Sequence, residues 1–210
     1  MTILSHRHRF VFIAVPKVAS HSIRFALRPH LGPDDEEQVA LFVRKRIARP
    51  VFDTQEHGHQ TAVEVRAAIG TDLWSSYLSF AVVRNPWDRF VSYVAFMMRH
   101  HGAFERDPRA AMHRVLANPQ NQSPVHYRSQ IDFLTDDSGA LIVSKICRAE
   151  RLQHDFDEVC DRLTLPRCTL ETRNASVHRP YVDYYDDELR AAVAARYRAD
   201  IDCFGYRFGD

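Results

Sequence analysis

Phe10-Val11-Phe12-Ile13-Ala14-Val15-Pro16-Lys17-Val18-Ala19-Ser20-His21-Ser22, followed by Ile23-Arg24-Phe25-Ala26-Leu27, is the stretch whose reading decides the fold. The run Phe10 to Val15 is apolar without alternation, the mark of a strand buried on both faces of a parallel sheet. Pro16 ends it, and residues 23–27 read as helix. The order is strand, tight loop, helix. It recurs at Leu78-Ser79-Phe80-Ala81-Val82-Val83, after which Asn85 and Pro86 supply an N-cap and a first helical position. Phe90, Val91, Val94 and Met97/Met98 give that second helix an apolar stripe. Strands alternating with helices predict an α/β fold with a central, mostly parallel sheet flanked by helices. Ligands in such folds sit at the carboxyl ends of strands, where both turns fall.

Outward from these two units, residues 34–47 read as a helix whose first turn, Asp34-Asp35-Glu36-Glu37, complements the positive helix end. Thr61-Ala62-Val63-Glu64 has the form of a capping box, so 62–69 reads as a helix stopped by Gly70. Asp136-Asp137-Ser138-Gly139 reads as a turn before a strand at 140–143. Leu152, Phe156, Val159 and Leu163 recur at helical spacing, and Asp186 caps an expected last helix over 187–199.

The chain has 210 residues, 45% hydrophobic and 26% charged, which predicts one globular domain over 1–210 and excludes a disordered or fibrous protein. No stretch approaches the ~20 apolar residues of a membrane-spanning helix. Met1 to Phe10 places basic and His residues where a signal peptide is apolar, so the expected location is cytoplasmic. A net charge of +1 gives no bulk attraction to nucleic acid or to an anionic membrane. Residues 1–50 alone carry nine Lys/Arg against four Asp/Glu, which suits either a local anion site or a solvated helix around Arg44-Lys45-Arg46. Cys147, Cys160, Cys168 and Cys203 form no Cys-x-x-Cys pair and no zinc spacing with His; they read as reduced thiols, and no metal is expected. Oligomeric state is left open.

Three constellations carry chemistry. Pro16 to Ser22 joins a strand to a helix N-terminus, where unpaired backbone N–H groups form an anion cradle. Lys17 adds a charge, and Ser20 and Ser22 add hydroxyls. No Gly-x-x-x-x-Gly-Lys-Ser/Thr is present, and here the lysine opens the loop instead of closing it. An exposed turn lysine is the plain alternative. The second constellation is Arg84 to Tyr93. Arg84 leaves the strand at its carboxyl end, and Arg89 and Ser92 share a helix face; a guanidinium beside a hydroxyl suits a phosphate. Its alternative is a surface helix with Arg84 in a structural ion pair. The third is His57-Gly58-His59, two imidazoles suited to proton abstraction; the plain alternative is neighbours by chance in a loop, and a further one is a His-x-His zinc pair, which lacks an evident third ligand. Trp87, Tyr93 and Phe96 read as packing residues and not as an adenine stack.

The first two constellations, in this order and spacing, resemble the 5′-phosphosulfate loop and the 3′-phosphate motif (an arginine followed eight residues later by a serine) of the sulfotransferase family. The resemblance is closest to the branch of carbohydrate sulfotransferases and their bacterial relatives. Gln130–Leu134, Gly139–Val143, Glu150–Phe156 and Phe204–Phe208 also look familial, so it spans nearly the whole chain. It implies a P-loop-like nucleotide-binding core and 3′-phosphoadenosine 5′-phosphosulfate (PAPS) as donor, with transfer to an acceptor hydroxyl, of a carbohydrate or another small alcohol. Lys17, Val18, Ala19, Ser20, His21 and Ser22 would hold the 5′ end, with Lys17 stabilising the leaving group. Arg84 and Ser92 would hold the 3′-phosphate. His59, before Thr61-Ala62, would be the base and His57 its helper. Arg179, in the late stretch with Arg173, Asn174 and His178, would close over the nucleotide. Ala19 stands where glycine is frequent, and His21 where a small polar residue is. Residues 30–55 and 100–129 would shape the acceptor cleft. The rival expectations are an ATP-dependent small-molecule kinase, which needs magnesium, and a nucleotide-binding module that transfers nothing.

Overall fold

β2 (Phe10–Ile13) and β4 (Leu78–Val83) run parallel, with Phe12 opposite Phe80 and Ile13 opposite Ala81, so their carboxyl ends lie side by side. In this computed structural model, which describes residues 2–38, 59–100, 102–171 and 179–210, both strands are almost wholly buried, as unbroken apolar runs require. β5 (Lys145–Arg148) pairs parallel with β4. β1 (Ile3–Ser5) pairs antiparallel with β2, and β3 (Glu36–Glu37) antiparallel with β1. The sheet order is β3-β1-β2-β4-β5. The expected α/β architecture holds, with the parallel part at β2-β4-β5 and two antiparallel strands added beside β2.

Helices α1 (Ser20–Leu27), α2 (Ala62–Ile69), α3 (Thr71–Ser76) and α7 (Leu152–Leu163) belong to the same compact unit as the sheet, Met1–Val83 with Asp132–Asn174. α2 begins and ends as its sequence predicts: Thr61 and Glu64 form both halves of the capping box, and Gly70 takes φ 87° just past the end. A second unit, Arg84–Ile131 with Ala175–Asp210, holds α4 (Pro86–Met98), α5 (Ala103–Arg106), α6 (Pro108–Ala117), α8 (Asp187–Arg196) and α9 (Arg198–Phe204). Its core gathers Trp87, Phe90, Val94, Met112, Leu189, Val193 and Tyr197. Among the described residues no helix is long and apolar enough to cross a membrane.

Four expectations are corrected. The acidic run 34–37 starts no helix: Glu36–Glu37 is a strand, and 39–47 lie outside the described residues. Asp35 instead caps a turn, accepting from the His6 and Arg7 N–H groups at 2.7 and 3.0 Å, from Ser5 Oγ at 2.7 Å and from Gly32 N–H at 2.9 Å. Second, the strand expected at 140–143 is Lys145–Arg148. The Asp136–Gly139 turn forms, but Leu141 behind it is 43% exposed and makes only an isolated bridge to Thr135. Third, Met97 lies 38% exposed, off the apolar stripe. Fourth, the last expected helix stops at Arg196, and a separate α9 follows Tyr197. Cys147 and Cys160 are buried, Cys168 is half-buried and Cys203 exposed, all as free thiols.

Candidate functional site

Between β2 and α1 the chain takes an unusual path. Lys17 and Ala19 both have left-handed backbone, φ 67° and 65°, while Val18 between them is fully buried with negative φ, and Ser20 begins the helix. Alternating hands of this kind curl successive N–H groups towards one point, the arrangement called a nest, which binds anions. Left-handed backbone costs a residue with a Cβ about 1–2 kcal/mol, so the conformation is held against a local preference. Ala19 is the N-cap of α1 and makes no side-chain cap, whereas Thr61, Asn85, Asp107 and Asp186 each cap their helices. Ser20, buried, donates its hydroxyl to the Val15 carbonyl at 2.7 Å, and the Ser22 N–H donates to the Ala19 carbonyl at 3.1 Å. The first bond ties the start of α1 back to the chain leaving β2, and the second closes the first turn of α1.

The charge around this loop is positive. Lys17 and His21 are half-buried. Burial, then Arg24, Lys17 and Arg28, push the His21 pKa below its ordinary value, so the imidazole is neutral near pH 7. Arg24, 1% exposed, gives Nε and Nη2 to Glu37 Oε1 at 2.8 and 2.6 Å; Arg28 Nε sits 2.9 Å from both Glu37 oxygens. One carboxylate from β3 therefore holds Arg24 of α1 and Arg28, the residue that follows α1.

His59 is 5% exposed, and its Nδ1 lies 2.6 Å from the Ala14 carbonyl. A carbonyl only accepts, so Nδ1 carries the proton and the lone pair of the neutral ring is on Nε2. The capping box fixes the chain two residues on: Thr61 N–H and Oγ1 reach Glu64 Oε2 at 2.7 and 3.0 Å. His57 lies outside the described residues.

In the second unit Arg84 is half-buried, with Nε 2.6 Å from Asp88 Oδ2 one helical turn on. Ser92 is half-buried on α4. Arg89 is corrected: it does not present a guanidinium for a phosphate. It is 2% exposed and donates Nη2 to the His126 and Arg128 carbonyls at 3.2 and 2.9 Å. Trp87 and Tyr93 are buried packing residues, and Phe96 stacks on His126 at 5.6 Å. Arg179 is exposed, its guanidinium 5.5 Å from the Tyr184 ring; Arg173, Asn174 and His178 lie outside the described residues.

Two polar residues of this unit, both fully buried, have no role in the sequence reading: Gln130, which opens a segment read there only as familial, and Asp200. Gln130 brackets the Arg84 peptide: Arg84 N–H donates to Oε1, and Nε2 donates to the Arg84 carbonyl, each at 2.9 Å. The signal for Gln130 is its place at the head of that familial segment. Elsewhere, in the first unit, His154, Asp155 and Glu158 offer ligand atoms within 4.8 Å of one another, but Lys145 pairs with Glu158 and Arg151 with Asp155 at 3.0 Å. The cluster reads as an ion-pair network on α7.

Compared with known families, residues 1–207 match the model of the Sulfotransferase family. Comparisons with curated proteins and with solved structures give no significant match.

Proposed function

The chain belongs to the sulfotransferase family and is an enzyme of that class, and on that premise we propose that it moves a sulfuryl group from PAPS to the hydroxyl of a carbohydrate or another small alcohol. Membership replaces the kinase and non-catalytic alternatives. The loop from Lys17 to Ser22, a P-loop-like strand-to-helix nest, takes the 5′ end of the donor; Arg84 and Ser92 take its 3′-phosphate. The fit of the loop rests on its alternating backbone and its surplus of cations.

The chemistry follows from charge. The S–O bond to the bridging oxygen breaks while a bond from sulfur to the acceptor oxygen forms. Negative charge grows on the bridging oxygen, where the Lys17 ammonium stabilises it. The acceptor hydroxyl loses its proton to His59 Nε2, leaving adenosine 3′,5′-bisphosphate and a sulfate ester. The observation that carries this reading is the bond from His59 Nδ1 to the Ala14 carbonyl: it ties the base to the chain entering the loop and sets the tautomer that can accept a proton. His57 is assigned the helper's role and Arg179 that of closing over the nucleotide.

Transfer of labelled sulfate from PAPS to a panel of sugars and small alcohols tests the proposal. Turnover with at least one acceptor, lost in His59→Ala while adenosine 3′,5′-bisphosphate still binds, is expected. Full turnover by His59→Ala would remove the base assignment.

A further inference from the structure

We infer that Gln130, locked in place by Asp200, is the positioning residue that aims Arg84 at the donor's 3′-phosphate. This rests on the proposed donor reading and deepens it by naming what holds its 3′-phosphate ligand.

Arg84 is the first residue after β4 and precedes the Asn85 N-cap, at the junction of strand and helix. Gln130 holds its main chain there. Its amide meets Arg84 as a strand neighbour would, accepting the N–H and donating to the carbonyl at 2.9 Å each. Two bonds, one to each peptide group flanking the Arg84 Cα, fix the main chain of that residue where one bond would let it pivot.

Gln130 is itself anchored. Its own N–H and that of Ile131 donate to the two Asp200 oxygens at 2.9 and 2.8 Å, and Nε2 lies 3.4 Å from Asp200 Oδ2. That amide edge faces a carboxylate and a carbonyl, both acceptors, so Nε2 must be the donor and the amide cannot flip. Buried Arg89, pinned to the His126 and Arg128 carbonyls, fixes the segment leading into Gln130. A buried carboxylate with two backbone donors and a buried arginine behind it is costly to build without a use. Here its effect is delivered to one half-buried arginine.

The test separates aim from mere stability by comparing two ligands, adenosine 3′,5′-bisphosphate and adenosine 5′-monophosphate, which differ only in the 3′-phosphate. In Gln130→Met, which keeps the length and removes both bonds, calorimetry should show the preference for the bisphosphate falling about tenfold while monophosphate affinity is held. In an Arg84→Ala background the same substitution should change the preference no further. An unchanged preference in folded Gln130→Met, or an equal loss for both ligands, overturns the proposal. Should that variant fail to fold, Gln130→Glu keeps the acceptor for Arg84 N–H and loses only the donor; a preserved preference there counts against the inference. In the wild type the Arg84 amide should resist hydrogen exchange as core amides do, and rapid exchange contradicts the bracket directly. If Arg84→Ala lowers the preference and Gln130→Met does not, the positioning role alone falls. If the wild type shows no preference, the donor reading falls and takes this inference with it.

Discussion

The loop from Pro16 to Ser22 and the turn at Arg84 are both strand-to-helix junctions, yet they are shaped by opposite means. The loop takes its form from its own residues, left-handed Lys17 and Ala19 around a buried Val18, tied by the Ser20 hydroxyl to the Val15 carbonyl. The turn has ordinary backbone and takes its form from side chains far along the sequence, Gln130 and Asp200. A site written in backbone angles tolerates side-chain change and fails when φ is forced. A site written in remote hydrogen bonds tolerates local change and fails at a distance.

The comparison breaks first at Lys17 and His59, the two residues proposed to act on the reacting groups. Lys17→Ala should lower kcat/KM about 100- to 1,000-fold, as removal of a transition-state donor does. His59→Ala should lower kcat about 100- to 10,000-fold with bisphosphate affinity unchanged, measured by steady-state kinetics and calorimetry. Equal losses of binding and rate in His59→Ala would place the residue in the loop's structure instead.

Next comes stability. Glu37→Gln leaves buried Arg24 beside Arg28 without their carboxylate, and should cost about 3–5 kcal/mol in denaturant unfolding. A cost under 1 kcal/mol would mean that α1 and its nest do not depend on β3.

A smaller effect concerns pH. His21 has a depressed pKa in the free protein, so it is neutral at pH 7. An anion brought against it raises that pKa, so the complex binds more protons than the free protein. Affinity for the bisphosphate should therefore gain as pH falls from His21's pKa in the complex towards its lower pKa in the free protein, relative to His21→Gln over the same range. Identical pH profiles for the two proteins would place the anion elsewhere.

The smallest effect sharpens the comparison most. Ala19→Gly removes a Cβ from left-handed backbone and should be neutral or stabilising by up to about 1 kcal/mol. Ala19→Val should cost both stability and donor affinity. The alanine stands where glycine would be easiest, and the observed φ of 65° is the physical reason.

Local rules were legible where partners are local. The Thr61–Glu64 capping box, Gly70 and the Asn85-Pro86 helix start are contacts within four residues, and all form as read. Reading failed where the partner is distant. Asp34-Asp35-Glu36-Glu37 suits a helix N-terminus by itself, but Glu37 is claimed by Arg24 and Arg28, and Asp35 by the turn at Ser5 to Arg7. Lys145-Ile146-Cys147-Arg148 hides as a strand because only Cys147 is fully buried, while the more apolar 140–143 looked the better strand. Among the candidate residues, Lys17 and Ser20 in one unit and Arg84 and Ser92 in the other are readable as motifs. The left-handed angles, the bond from His59 to Ala14 and the bracket of Gln130 on Arg84 are not, because the last two join residues 45 and 46 apart in sequence.

The most direct measurement is calorimetric titration of the wild-type protein, in the presence of a chelator, with adenosine 3′,5′-bisphosphate and with ADP. Binding of the bisphosphate should be metal-independent and about tenfold or more tighter than that of ADP, from the extra charge-assisted bonds to the 3′-phosphate. Equal affinities, or binding that appears only with magnesium, would contradict it.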